Sequence, residues 1–184
     1  MDSIRLMMEE HQYILRMLKI VRKACYNILQ GEEINYEDFN KIIDFIRNYA
    51  DAHHHGKEEK MLFQEMVTHL GPIGTKLITN GMLVEHDSGR LFLQELKDAL
   101  LRVKDGDEMS KLDVIANAIS YTHLLKRHID KEDSVVYTFA ERQLSPDILE
   151  KVNRETEEFE NAATEKGTQQ RYKELVEALE KKYQ

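Results

Sequence analysis

Imidazole and carboxylate groups four residues apart recur twice in this sequence, as His54 with Glu58 and as His128 with Glu132. On a helix that spacing sets both groups on one face, one turn apart, where they can grip a common cation. The surrounding segments HHGKEEKMLF (54–63) and HIDKEDSVVY (128–137) align without a gap: His, two residues, Lys, Glu, an acid, three residues, an aromatic. His11 and His86 fall where the flanking pattern would put an apolar residue. Two carboxylates and at least four imidazoles, desolvated together, are costly unless something compensates them. A pair of metal ions does so, with carboxylates bridging and histidines capping. Mixed imidazole and carboxylate ligation suits iron, manganese or zinc rather than calcium.

The elements that must position these groups are helices. From Ser3 to Gln30 the inward positions run Ile4, Met7, His11, Ile14, Leu18, Val21, Cys25 and Ile28, in alternating steps of three and four, the seam of a bundle helix. A second helix runs from about Tyr36 to Leu70, with Phe39, Ile43, Ile46 and Ala50 inward, and LGPIG (70–74) breaks the chain. A third covers roughly Thr75 to Lys104, with the stripe Thr79, Met82, His86, Gly89, Leu93, Leu96, Leu100 and Val103. A fourth carries Val114, Ala118, Tyr121, Leu125, His128, Glu132, Val135 and Phe139. Ser145-Pro146 reads as an N-cap and first helical residue, opening two shorter helices at about 146–163 and 168–183; the latter has the stripe Tyr172, Leu175, Val176, Leu179 and Tyr183. The expected fold is all-α: an up-down-up-down antiparallel four-helix bundle over residues 1–144. A C-terminal helical extension over 145–184 packs on it within the same domain.

Residues equally far from a hairpin loop lie at one level. With the first loop centred near residue 33, His11 lies 22 residues before it and His54 21 after; with the third near 106, His86 lies 20 before and His128 22 after. At a rise of about 1.5 Å per residue the mismatches amount to about 3 Å. Four helices thus present an inward imidazole at one height.

In DAHHHGKEEKMLF (51–63) three adjacent histidines cannot share one α-helical face. His54, Glu58 and His55 span an arc of about 100° and can all reach a two-metal centre, whereas His53 lies on the far side of His54. The apolar stripe alone fits His53 as well as His54; the echo with His128 selects His54 and leaves His53 a bystander. His123 is expected at the surface or one layer out, and His69 in solvent at a helix end. Glu59 and Asp133 read as solvated charges. Glu85 and Arg90 either orient ligands through hydrogen bonds or form a surface ion pair. Met7, Met8, Met61 and Met82 read as ordinary core that would line a soft, water-poor pocket.

The formal charge of −8 argues against a nucleic-acid partner. Cys25 is the single cysteine, which excludes an intrachain disulfide or a thiolate metal cluster. With no signal-peptide pattern and no 18-residue apolar stretch, a cytoplasmic chain without membrane association is expected.

With His11, His54–Glu58, His86 and His128–Glu132 in this order, and the spellings HHGKEEKMLF, LVEHDSGR and LLKRHIDKED, the sequence resembles the hemerythrin-like (HHE cation-binding) family, in its stand-alone prokaryotic branch, over about residues 5–140. The resemblance implies two iron ions, oxo- or hydroxo- and carboxylate-bridged, held by His11, His54, His55, Glu58, His86, His128 and Glu132. It further implies binding of dioxygen or a related diatomic for sensing, scavenging or storage, with an electron-transfer partner as a further expectation. The alternative is an enzyme acting on peroxide or nitric oxide, or an iron-storing or iron-donating protein. The oxygen carriers place two histidines one turn apart on the third helix. Here position 82 is Met and position 90 is Arg, so His55 is expected to supply the missing ligand.

Overall fold

The structure, a computed structural model, describes residues 1–183; the last residue of the expected extension, Gln184, lies outside the described residues. Six helical rods account for the fold: α1 (Ser3–Leu29), α2 (36–69), α3 (71–104), α4 (111–143), α5 (Pro146–Glu165) and α6 (Thr168–Lys182). Asp2 caps α1 by accepting from the Arg5 amide at 3.1 Å, and Asn35 caps α2 by accepting from the Asp38 amide at 3.0 Å, each satisfying an orphan donor of a first turn. Ser145 caps α5 in extended conformation without a hydroxyl bond, ahead of Pro146. α3 starts at Gly71 rather than Thr75 because Pro72 is tolerated in a first turn. At this α2–α3 corner Gly71 has φ +59°, and a Cβ on Gly74 would lie 2.3 Å from the Met66 carbonyl oxygen.

The seam expected of α1 is buried throughout. α3 packs along α4, and α4 along α1. Two apolar clusters result. One gathers Ile14–Ile28 of α1, Phe39–Ala50 of α2, Leu93–Val103 of α3 and Val114–Ile129 of α4, with Tyr172, Val176 and Leu179 of α6. The other gathers Ile4 and Met7, Leu62–Met66, Ile78 and Met82, and Val136–Leu144, with Val152 of α5. On each long helix the candidate histidines fall where one cluster gives way to the other, with Ile129 alone of the first cluster beyond His128, so a polar layer divides the core.

That layer coincides with departures from α-helical winding. π-helical turns occupy Ile46–His55 and Glu58–Leu62 in α2, Ile78–Met82 in α3 and Glu132–Val136 in α4. Such turns close i→i+5 hydrogen bonds and gather at functional sites. Each slips the phase of the stripe. Beyond Glu132 the three–four steps pointed to Val135 and Phe139, yet Val135 is 52% exposed while Val136, Tyr137 and Ala140 are buried. In α3 the same slip puts Ile78 inside and Thr79 outside. Among the described residues, no helix is long and apolar enough to cross a membrane.

Candidate metal centre

A π turn rotates less per residue than the roughly 100° of an α-helix, and it brings His53, His54 and His55 all inside. His54 and His55 join the other candidates in two groups that share Glu58. One is His11, His54, Glu58 and Glu132; the other is His55, Glu58, His86 and His128, and all are buried. The rings form a continuous chain, with centroids 4.5 Å apart for His11–His54, 5.6 Å for His54–His55, 3.8 Å for His55–His86 and 4.7 Å for His86–His128.

The two carboxylates stand between the groups. Glu132 places Oε1 2.9 Å from Nε2 of His128 and Oε2 3.4 Å from Nε2 of His11. Glu58 Oε2 lies 3.6 Å from Nε2 of His86 and 3.8 Å from Nε2 of His54. The Glu58 separations are too long for hydrogen bonds, and neither Glu132 contact is one. Nε2 of His11 and His54, Nδ1 of His55, Oε2 of Glu58 and both oxygens of Glu132 are buried without a hydrogen-bond partner. Native interiors satisfy such atoms. Apart from Nδ1 of His55, which lies 3.4 Å from Asp51 Oδ1, these atoms are the donor set that a pair of cations satisfies, so the residues of the two groups fit the metal pair the sequence implies.

Behind the inward atoms runs a second set of contacts with a twofold repeat. His11 Nδ1 donates to Asp133 and His86 Nδ1 to Glu59, both at 2.7 Å. His54 Nδ1 donates to Glu10 and His128 Nδ1 to Glu85, both at 2.8 Å. Lys57 in turn donates to Glu10, and Lys131 to Glu85. In each half, the glutamate just before the lone histidine of one helix holds the paired histidine of the next. A lysine three residues past that histidine holds the glutamate. Carboxylates behind ligand histidines fix the tautomer and ring orientation. Glu59 and Asp133, expected as solvated charges, therefore serve His86 and His11, and Glu85 takes the orienting role rather than a plain surface pairing. Arg90 bonds Asp51 and Glu59 at 2.8 and 2.6 Å. With Gly89, it lines a crevice ending on His55 and His86.

His53 stands in neither ligand group, yet it is 3% exposed and bonded to Glu10 at 3.0 Å. Tyr137, not singled out from the sequence, is fully buried, stacks on His11 with centroids 5.7 Å apart and donates to Glu58 Oε1 at 2.5 Å. The aromatic that ends both echo segments was its signal. His123 is exposed and lies 3.3 Å from Arg22, and His69 bonds Glu65 near the corner. Met7 and Met82 are core, whereas Met8 is exposed.

Protonation follows from burial and neighbours. Burial, with the charge of His11 added, holds the His54 imidazole down at about 4. Burial and His86 likewise push His55 well below its ordinary range. Burial and the charge of Glu132 raise Glu58 to about 8. Burial opposes the charge on Glu132, His11 and His128, but in each the partners outweigh it. His128 and His11 keep Glu132 ionised, Asp133 and Glu132 raise His11 to about 9, and Glu132 raises His128 to about 10. Without a cation, protons carry the compensating charge.

An all-helical chain whose core holds a layer of imidazoles sharing two carboxylates is a metal-binding helical protein. The family described as "Hemerythrin HHE cation binding domain" matches residues 2–140, and the chain belongs to it. No curated protein and no solved structure matches the chain.

Proposed function

We propose that the four long helices form the up-down-up-down bundle, with 145–184 as an extension of the same domain. In it His11, His54, His55, Glu58, His86, His128 and Glu132 hold two iron ions that bind dioxygen or a related diatomic, in a cytoplasmic protein. The observation that carries the reading is the asymmetry of the two groups. Three imidazoles stand on the His55–His86–His128 side and two on the His11–His54 side; Glu58 belongs to both groups, and Glu132, grouped with His11 and His54, also places Oε1 2.9 Å from His128 Nε2. With both carboxylates bridging, the two-histidine side has one imidazole fewer, which leaves a position for a small molecule.

Two ferrous ions supply reversible two-electron chemistry to a diatomic at that position. The chain's own residues do the rest. The inward Nε2 and carboxylate atoms bind, and Glu10, Glu59, Glu85 and Asp133 keep the rings turned inward. Leu62, Phe63, Met82 and Val136 border the layer and exclude water. Tyr137 holds a proton toward Glu58 Oε1, its hydroxyl oxygen 2.5 Å away, inside the same enclosure. His55 fills the place that the third helix leaves open, and this favours reversible binding over turnover.

The test is metal analysis after iron-replete expression, followed by anaerobic reduction and exposure to oxygen. Two irons per chain are expected, with visible charge-transfer absorption that appears with oxygen and reverses when it is removed. Under one iron per chain, unchanged by His54→Ala, would overturn the metal assignment. Rapid irreversible oxidation, or turnover of peroxide or nitric oxide, would replace the binding protein by the enzyme.

A further inference from the structure

The two halves of the centre differ in what lies behind their lysines. Lys131, which holds Glu85, is half exposed, with a side chain 44% accessible. Lys57, which holds Glu10, has none of its side chain accessible. What covers it is α5: the Lys57 ammonium also donates to Glu160 Oε1, and Phe159 lies against it at 5.8 Å. His53 Nε2 stands 3.0 Å from Glu10 Oε1 and 3.1 Å from Glu160 Oε1. Glu160 Oε2 accepts from Gln169 of α6 at 2.8 Å. A buried line of polar contacts thus runs from α6 through Glu160, then Lys57 and His53, then Glu10, to Nδ1 of His54.

We propose that Glu160, outside the 2–140 family match, is a positioning residue for the His11–His54 half of the metal centre, acting on His54 through Lys57 and Glu10. The inference rests on the two-metal reading given above. Its physical basis is the geometry of a carboxylate. Glu10 offers Oε2 to His54 only in the orientation set by the donors on Oε1, and those donors, Lys57 and His53, are the two that Glu160 also holds. Removing Glu160 strands part of a buried ammonium, which is strongly unfavourable. Lys57 then turns toward water and draws Glu10 from His54. Glu10, His53 and Glu160 together could formally hold a cation, but the ammonium of Lys57 already bridges the two carboxylates, so the chain fills that place itself. The extension is thereby part of one half of the centre, whereas the His128 half is built from the bundle alone.

The test is cobalt(II) titration of the metal-free full-length chain, read by visible d–d absorption, with far-UV dichroism to check folding. Wild type is expected to take two ions, and His11→Ala identifies the step belonging to its half. Glu160→Met should weaken that same step about 10- to 100-fold, as loss of an outer partner does, and leave the other step unchanged. Glu10→Ala should weaken the same step. Lys151→Ala breaks another α5–α2 tie, to Glu65 at 2.7 Å, without touching Glu10, and should leave both steps unchanged. Should Glu160→Met fail to fold, the Lys57→Met/Glu160→Met double variant, which replaces the ion pair by an apolar one, should show the same selective loss. Both steps within twofold of wild type in the variant that folds would overturn the proposal, as would equal weakening of both steps by Glu160→Met and Lys151→Ala. Fewer than two cobalt ions in wild type would instead overturn the two-metal reading itself, and this inference with it.

Discussion

Tyr137 donates its phenolic hydrogen to Oε1 of Glu58 at 2.5 Å, across 79 residues of chain and inside the layer that divides the core. Phe at this position would keep the ring on His11 and leave a buried carboxylate oxygen without its donor. Leaving such a group unpaired costs about 1–3 kcal/mol. Tyr137→Phe should lower the stability of the metal-free chain by that amount in urea unfolding. A change under a few tenths of a kcal/mol would show that the bond contributes nothing.

In the two-metal centre proposed above, His55→Ala should weaken the metal on the three-histidine side by at least the 10- to 100-fold typical of losing even an outer partner. Both ions should stay in His123→Ala, whose imidazole is at the surface. Equal metal content in the two variants, read by elemental analysis after dialysis, would remove His55 from the ligand set.

Metal uptake should release protons. Metal-free, Glu58 at about 8, His11 at about 9 and His128 at about 10 all hold protons at pH 7, and ligands must lose them to bind. Each of these values is raised, so protons compete with metal at neutral pH and stop competing only as the pH climbs past them. His86, raised by Glu132 and Glu59 against burial, adds to them; apparent affinity should therefore rise between pH 6 and 9, with about three or more protons released per chain at pH 7. Calorimetry in buffers of different ionisation enthalpy counts them. An affinity that is flat or falls with pH would contradict the protonation assigned here.

Gly74→Ala should destabilise the chain by about 1–3 kcal/mol, the usual cost of forcing atoms into a filled site. The added methyl meets the Met66 carbonyl oxygen at 2.3 Å, and backbone cannot swing aside as a side chain can. Thermal unfolding of the metal-free variant measures it, and an unchanged midpoint would mean that the corner opens freely.

The helices and their inward faces were legible because three–four spacing is the direct imprint of a helix on a core. The expected ligand positions were legible because repeated His and Glu spacings fell at one height. Where the pattern misled, at Thr79 and Val135, the cause was a π-turn. Its hydrogen bonding is set by the site it surrounds and leaves no mark in residue spacing. Outward contacts were harder to see. Glu59 and Asp133 looked like solvated charges because each stands one residue past an inward glutamate, where an α-helix turns toward water. Yet both echo segments carried an acid there, and both lone histidines followed a glutamate, Glu10 or Glu85. Glu160 had no such signal. Its partner in the repeat does not exist, and only the packing of α5 across α2 brings it to Lys57.

Each π-turn holds one residue more than the α-helical winding on either side would require. The layer of imidazoles and carboxylates is therefore kept in a frame, much as codons are. Deleting one residue from 133–136 would restore regular winding there and leave the later side chains of α4, Tyr137 among them, facing as before, whereas deleting one residue from a regular α-helical stretch would turn every later side chain by about 100°. In this chain, point substitution can adjust the centre step by step, and a single-residue deletion is absorbed in a π-turn, but an insertion or deletion in the regular winding changes which residues the centre contains.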